Sequence, residues 1–208
     1  MCVDHGSGYQ PQVSTPAPDS STPQAPLVPL VERVERTESL DPVADRIEPL
    51  ASLTVSSPGL KSLLRGDWLG HAVHPLLTDF AIGAWTCTSL LDLVGGPQSR
   101  PAAKRLLTFG LVAAVPTAVT GAAEWTSTSG ANRRVGVVHA VANVSAFGLY
   151  GASLVARQRG SHWRGVGLGL LGGATAAVGG YLGAHLSIAR KVGSRDPTFQ
   201  PSDQGLIP

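Results

Sequence analysis

Four apolar runs of about twenty residues limit what this chain can become, since that is the length that crosses roughly 30 Å of hydrocarbon at about 1.5 Å per residue. They lie at 76–95, 102–123, 135–156 and 165–188, joined by short polar loops. Helices in water-soluble domains average about three turns. The pattern therefore predicts an all-α fold, a four-helix transmembrane bundle over residues 61–190. Pro75 suits the first turn of the first helix, and Gly95-Gly96-Pro97 ends it. Pro116, inside the second run, deprives the Val112 carbonyl of its usual donor and predicts a kink.

The flanks have another texture. Residues 1–60 hold most of the acid, and "STPAPDSSTPQAP" near their start cannot bury enough apolar surface to offset ordering, which predicts disorder. From Leu27 to Ser57, short amphipathic pieces are cut by Pro29, Pro42 and Pro49. They read as surface or interfacial helices rather than as a folded domain. Residues 191–208 read as a flexible C-terminal tail.

Charge and cysteine content narrow the partners. A net charge of +2 from scattered Lys and Arg gives no basic stripe for nucleic acid. Cys2 and Cys87 have neither metal-type spacing nor a plausible pairing. The first residues show no secretory signal pattern, so the later runs are expected to insert into the cell's inner (cytoplasmic) membrane with cytoplasmic termini. Basic residues flank both ends of the bundle in nearly equal number, which leaves orientation weakly marked.

Glycine dominates the fourth run. Gly165, Gly169 and Gly173, and again Gly179 and Gly183, repeat every four residues, the small-residue spacing of close helix packing in lipid. The partner can be a helix of the same chain or a second copy, so a homo-oligomer through the fourth helix is one expectation.

Up-and-down threading brings the polar residues to one membrane face. The start of the first and third helices and the end of the second and fourth meet there, with His71, His74, Asp79, Glu124, His139 and His185. His139, Asn143 and Tyr150 share one side of the third helix, Thr117, Thr120 and Glu124 one side of the second, and Asp79, Gly83 and Thr86 one side of the first. Polar groups inside a bilayer are costly and usually face a bundle interior or wet cavity, so these stripes predict a shared polar hollow beneath that face. His185 departs from the glycine side of its helix. Asp92, at the far end, is expected to be solvated or paired with Lys104 or Arg105.

"LLRGDWLGHAVHPLLTDFAIGAWTCTSLLDLVGG", "GAAEWTSTSGANRRVGVVHAVANV" and "GGYLGAHL" together resemble the bacterial membrane-protein family called domain of unknown function 2231, from about Leu63 to His185. The resemblance implies a four-span membrane domain. Some members of that family are fused to a Rieske ferredoxin domain, which implies a link to electron transfer, but the family has no established activity. This chain has no Cys and His set for an iron-sulfur centre, and reads "HAVHP" and "DFAIG" where "HPLHP" and "DFPIG" are the family's words.

Three functions follow from the residues. The first is a redox subunit in which His139 with His74 or His185, and His71 nearby, binds haem b or a metal held by His and carboxylate groups. Asp79, Glu124, Asn143 and Tyr150 then orient the ligands or relay protons, and redox partner proteins are implied. The second is a proton, ion or small-solute pathway lined by Asp79, Glu124, His139 and the threonines. The third is a membrane anchor or assembly protein without chemistry.

Overall fold

Proline and glycine punctuation divides the chain as the hydropathy pattern requires. The computed structural model describes residues 25–199. Three short helices come first: α1 (Val28–Arg36), α2 (Asp41–Ser52) and α3 (Pro58–Arg65). Each has proline within its first two positions, where no backbone donor is lost. Ser57 caps α3 by accepting from the Leu60 N–H, and Gly66, at φ 74°, ends it in the left-handed region.

Four long helices follow: α4 (Val73–Val94), α5 (Arg100–Trp125), α6 (Gly130–Gln158) and α7 (His162–Ala184). A π-helical turn, His185–Ala189, extends α7. All four are long and apolar enough to cross a membrane. They form an all-α four-helix membrane bundle. Hydropathy saw only their greasy middles; α4 begins three residues before the predicted 76, which moves His74 from the flank into the first turn. α5 continues through Pro116, and the Thr120 hydroxyl donates to the Pro116 carbonyl at 3.0 Å.

The bundle is two hairpins, α4–α5 and α6–α7, laid against each other. Close approach within α6–α7 comes from the glycines. A methyl placed on Gly172 would lie 3.2 Å from Tyr150, and on Gly179 2.8 Å from Asn143. The glycine face is therefore filled by α6 of the same chain, one of the two partners that the spacing left open.

The two hairpins repeat one another at a spacing of 65 residues between α4 and α6. Thr78 donates to the carbonyl of His74 and Asn143 to that of His139. Ala81 and Ala146 are both buried. Trp85 stacks on Tyr150, with ring centroids 4.2 Å apart and planes 19° from parallel. The hydroxyls of Thr88 and Ser153 each donate across their own hairpin, to the carbonyls of Ala103 and Gly165. Asp92 pairs with Arg157. His74 and His139, Trp85 and Tyr150, and Asp92 and Arg157 are each a residue meeting its own equivalent, which happens only on a twofold axis. Since α4 and α6 run in the same direction, this pseudo-twofold lies along the bundle, the arrangement of parallel repeats in membrane proteins.

The N-terminal arm is docked. Val31 of α1 is 3% exposed and packs in one cluster with Val135 and Leu182. The expected boundary at residue 60 falls inside α3, whose Leu63 and Leu64 line an apolar cleft of about 430 Å³ shared with α4 and α5. The expectation of disorder near the chain start falls on residues 1–24, outside the described residues, as do residues 200–208 of the expected C-terminal tail. The part of that tail next to α7 is tied down: the Ala72 N–H donates to the Gly193 carbonyl at 3.0 Å, and His71 bridges to Ser194.

Candidate functional site: an imidazole pair at one end of the bundle

His74 and His139 meet on the pseudo-twofold, their ring centroids 6.0 Å apart and their planes 82° from parallel. Each ring is hung from the other helix of its own hairpin. His74 Nδ1 lies 2.8 Å from the Thr117 carbonyl oxygen, and His139 Nδ1 lies 2.8 Å from that of Gly179. A carbonyl only accepts, so both Nδ1 atoms carry the proton and both Nε2 atoms keep a lone pair. Asn143 donates to the carbonyl of His139 at 2.8 Å, and its amide nitrogen stands 3.2 Å from His139 Nε2.

Two glycines, one turn beyond those carbonyls, give the rings their room. A methyl on Gly121 would come 2.8 Å from the His74 ring, and one on Gly183 2.9 Å from that of His139. Gly121 and Gly183 are thus equivalent positions with the same task. The threonine carbonyl at 117 and the glycine carbonyl at 179 serve equally, because the acceptor is backbone and does not depend on the side chain.

The other residues of the predicted hollow are placed elsewhere. His185 Nε2 lies 2.8 Å from Glu35 of α1. It is thereby held by the arm and not by the imidazole pair. His71 is exposed beside the 193–196 stretch. Glu124 is bound by Arg195, whose Nε also lies 2.6 Å from Asp67. Asp79 is exposed on the outer side of α4, as are Gly83 and Thr86 on the same stripe. Tyr150 sits eleven residues along α6 from His139, about 16 Å at about 1.5 Å per residue, against Trp85. Of the sequence candidates, then, the fold brings together His74, His139 and Asn143.

Asp92 corrects its expectation. Its side chain is 4% exposed, with both oxygens on Arg157 at 2.8 and 2.5 Å, and the side chain of Arg157 is 3% exposed. Lys104 and Arg105 are not its partners. Two charges this deep need each other, because either alone would be an uncompensated ion.

A ring of ion pairs that the sequence reading missed fastens the arm over this same end. Arg134 grips Asp41 at 2.8 and 2.7 Å and also donates to the Glu35 carbonyl. Arg133 reaches Asp45 and Glu48 at 2.8 and 2.7 Å. Glu35, 14% exposed, accepts from Arg190 at 2.6 Å as well as facing His185. Burial pushes the Glu35 carboxyl up, but the hydrogen bonds and charges of His185 and Arg190 outweigh it and hold the group below the usual carboxylate range. Hydrogen bonding to Arg134 holds Asp41 low in the same way. The usable signal was the adjacent pair Arg133-Arg134 opposite acids spaced through 35–48.

No group of three or more His, Cys, Asp or Glu able to hold a metal ion exists among the described residues. The sequence pattern of the family described as "predicted membrane protein (DUF2231)" matches residues 70–196. Among curated proteins and among solved structures nothing matches.

Proposed function

Because the chain belongs to this family of membrane proteins, whose description names no reaction, we propose from the imidazole pair that it is a multi-pass redox subunit binding haem b through His74 and His139. The observation that carries the reading is the matched suspension of the two rings. Both Nδ1 protons are spent on backbone carbonyls, so both Nε2 lone pairs are left for a metal.

The donor set fits haem better than a bare ion. A free Zn²⁺ or iron takes three or four protein ligands, and only two imidazoles stand here. Iron already held in a porphyrin needs only axial ligands. His74 and His139, whose ring centroids stand 6.0 Å apart, would supply the two imidazole ligands that haem iron takes. Haem would supply one-electron exchange. The chain's part is to fix the imidazole tautomers, set their depth and keep bulk water away. The Asn143 amide nitrogen, 3.3 Å from His139 Nδ1 and 3.2 Å from Nε2, donates to the His139 carbonyl and so leaves the Nε2 lone pair free.

A polar conduction pathway is supported less well. Ala81 and Ala146 interrupt the polar stripe between the imidazoles and Tyr150, and Asp79 faces outward. We place the protein in the cytoplasmic membrane with its termini inside, supported by Lys61, Arg65, Arg133, Arg134, Arg190, Lys191 and Arg195 at the histidine end and by the withdrawal of Arg157 into the bundle.

The test is an absorption spectrum of the detergent-purified full chain, oxidised and then reduced, with iron analysis of the same sample. A Soret band that shifts on reduction is expected, absent in His74→Ala and in His139→Ala and kept in His71→Ala and His185→Ala. Colourless, iron-free protein from iron-replete cells overturns the reading.

A further inference from the structure

A second polar site lies at the histidine end, in a cleft of about 270 Å³ between the end of α3, the α5–α6 loop and the stretch 190–195. Its lining holds four basic side chains, Arg65, Arg190, Lys191 and Arg195, against one acid, Glu124. Two of the four are committed. Arg195 is shared between Glu124 and Asp67, and Arg190 is held by Glu35. Arg65 and Lys191 have no acidic partner among the described residues. The Arg65 Nε is moreover buried without a hydrogen-bond partner.

The floor of the cleft points to the sign of that ligand. α6 starts here, at Gly130, with Ser129 in an extended conformation whose side chain makes no cap, and its first turn contains no acid. Its leading N–H groups and its positive dipole end are thus available to an anion. Ser127, Ser129 and Asn132 add side-chain donors to the same lining. Lys191 is the one described non-glycine residue at positive φ, 54°.

We propose that this cleft binds a phosphate-class anion, the phosphodiester of an anionic lipid headgroup or a free phosphate, between Arg65, Lys191 and the first turn of α6. The site is independent of the haem reading, since it uses neither imidazole. Tetrahedral oxygens suit it because guanidinium, ammonium and backbone donors converge from different elements, which a single carboxylate would satisfy only in part.

The experiment uses the full chain with two probes. Thermal unfolding in detergent is followed in sodium phosphate against sodium chloride of equal ionic strength, and binding of phosphatidylglycerol is compared with that of phosphatidylcholine in nanodiscs. The Arg65→Gln/Lys191→Gly double variant, in which glycine also relieves the positive φ, is set beside Arg164→Gln, an exposed charge at the far end. Apparent affinity for at least one probe is expected to fall about tenfold or more in the double variant and to stay unchanged in Arg164→Gln. A response to phosphate without lipid preference assigns a soluble anion. Preference for phosphatidylglycerol without a phosphate response assigns a headgroup. A wild type indifferent to both probes, or a double variant that responds as the wild type does, overturns the site.

Discussion

A single methyl group is enough to test how the imidazoles are held. Gly121 and Gly183 have their space taken by His74 and His139, whereas Gly148 has nothing within 4 Å of where a methyl would stand. Gly183→Ala and Gly121→Ala should each destabilise the protein by about 1–3 kcal/mol, the usual cost of overpacking, and should displace the ring they touch. Gly148→Ala should be neutral or stabilising by up to about 1 kcal/mol, since alanine is the better helix former. Thermal unfolding of the three variants in one detergent checks the contrast. At this scale the sequence was informative about which histidines meet only in part. His139 was marked by its place within an apolar run, but whether His74 or His185 faced it depended on Glu35, which lies 150 residues away and captures His185.

At the scale of elements, the docked arm is an electrostatic clamp with an apolar foot. Val31 supplies the foot, and Glu35, Asp41, Asp45 and Glu48 supply the charges. The carboxyls of Glu35 and Asp41 are held low when docked, so their contribution is complete above the pKa of the free arm and fades as pH falls through the docked value. Acidification below the ordinary carboxylate range should therefore loosen α1 and α2, while raising pH from neutrality should not. Protease cleavage within 28–52 at a series of pH values reads this out, and Glu35→Gln should shift the onset of cleavage toward neutral pH. The exposed pairs Arg133–Asp45 and Arg133–Glu48 add little singly and should weaken with salt. The four spans were legible because hydrophobic length is a property of contiguous residues. The arm was not, because what orders it lies in the bundle: its prolines read as interruptions, and they serve here as helix starts.

Across the whole molecule the pseudo-twofold makes a prediction that no single contact makes. Asp92 and Arg157 occupy equivalent positions, so exchanging them keeps the pair on the axis. Asp92→Asn alone should cost about 3–5 kcal/mol by leaving a buried guanidinium unmatched. The double exchange Asp92→Arg/Arg157→Asp should recover most of that loss, as measured by unfolding and by yield of folded protein. The repeat was hidden in the sequence because its partners share tasks and not identities. Trp85 answers to Tyr150, Thr88 to Ser153, Thr78 to Asn143, and an acid to a base. One further feature fixes how the molecule sits in lipid. The carboxylate of Asp79 is turned outward from α4, where hydrocarbon would have to solvate it. The water boundary must then come down to within about a turn of it, and five residues above stands His74. The imidazole pair would then stand near one water boundary of the bundle and away from its middle.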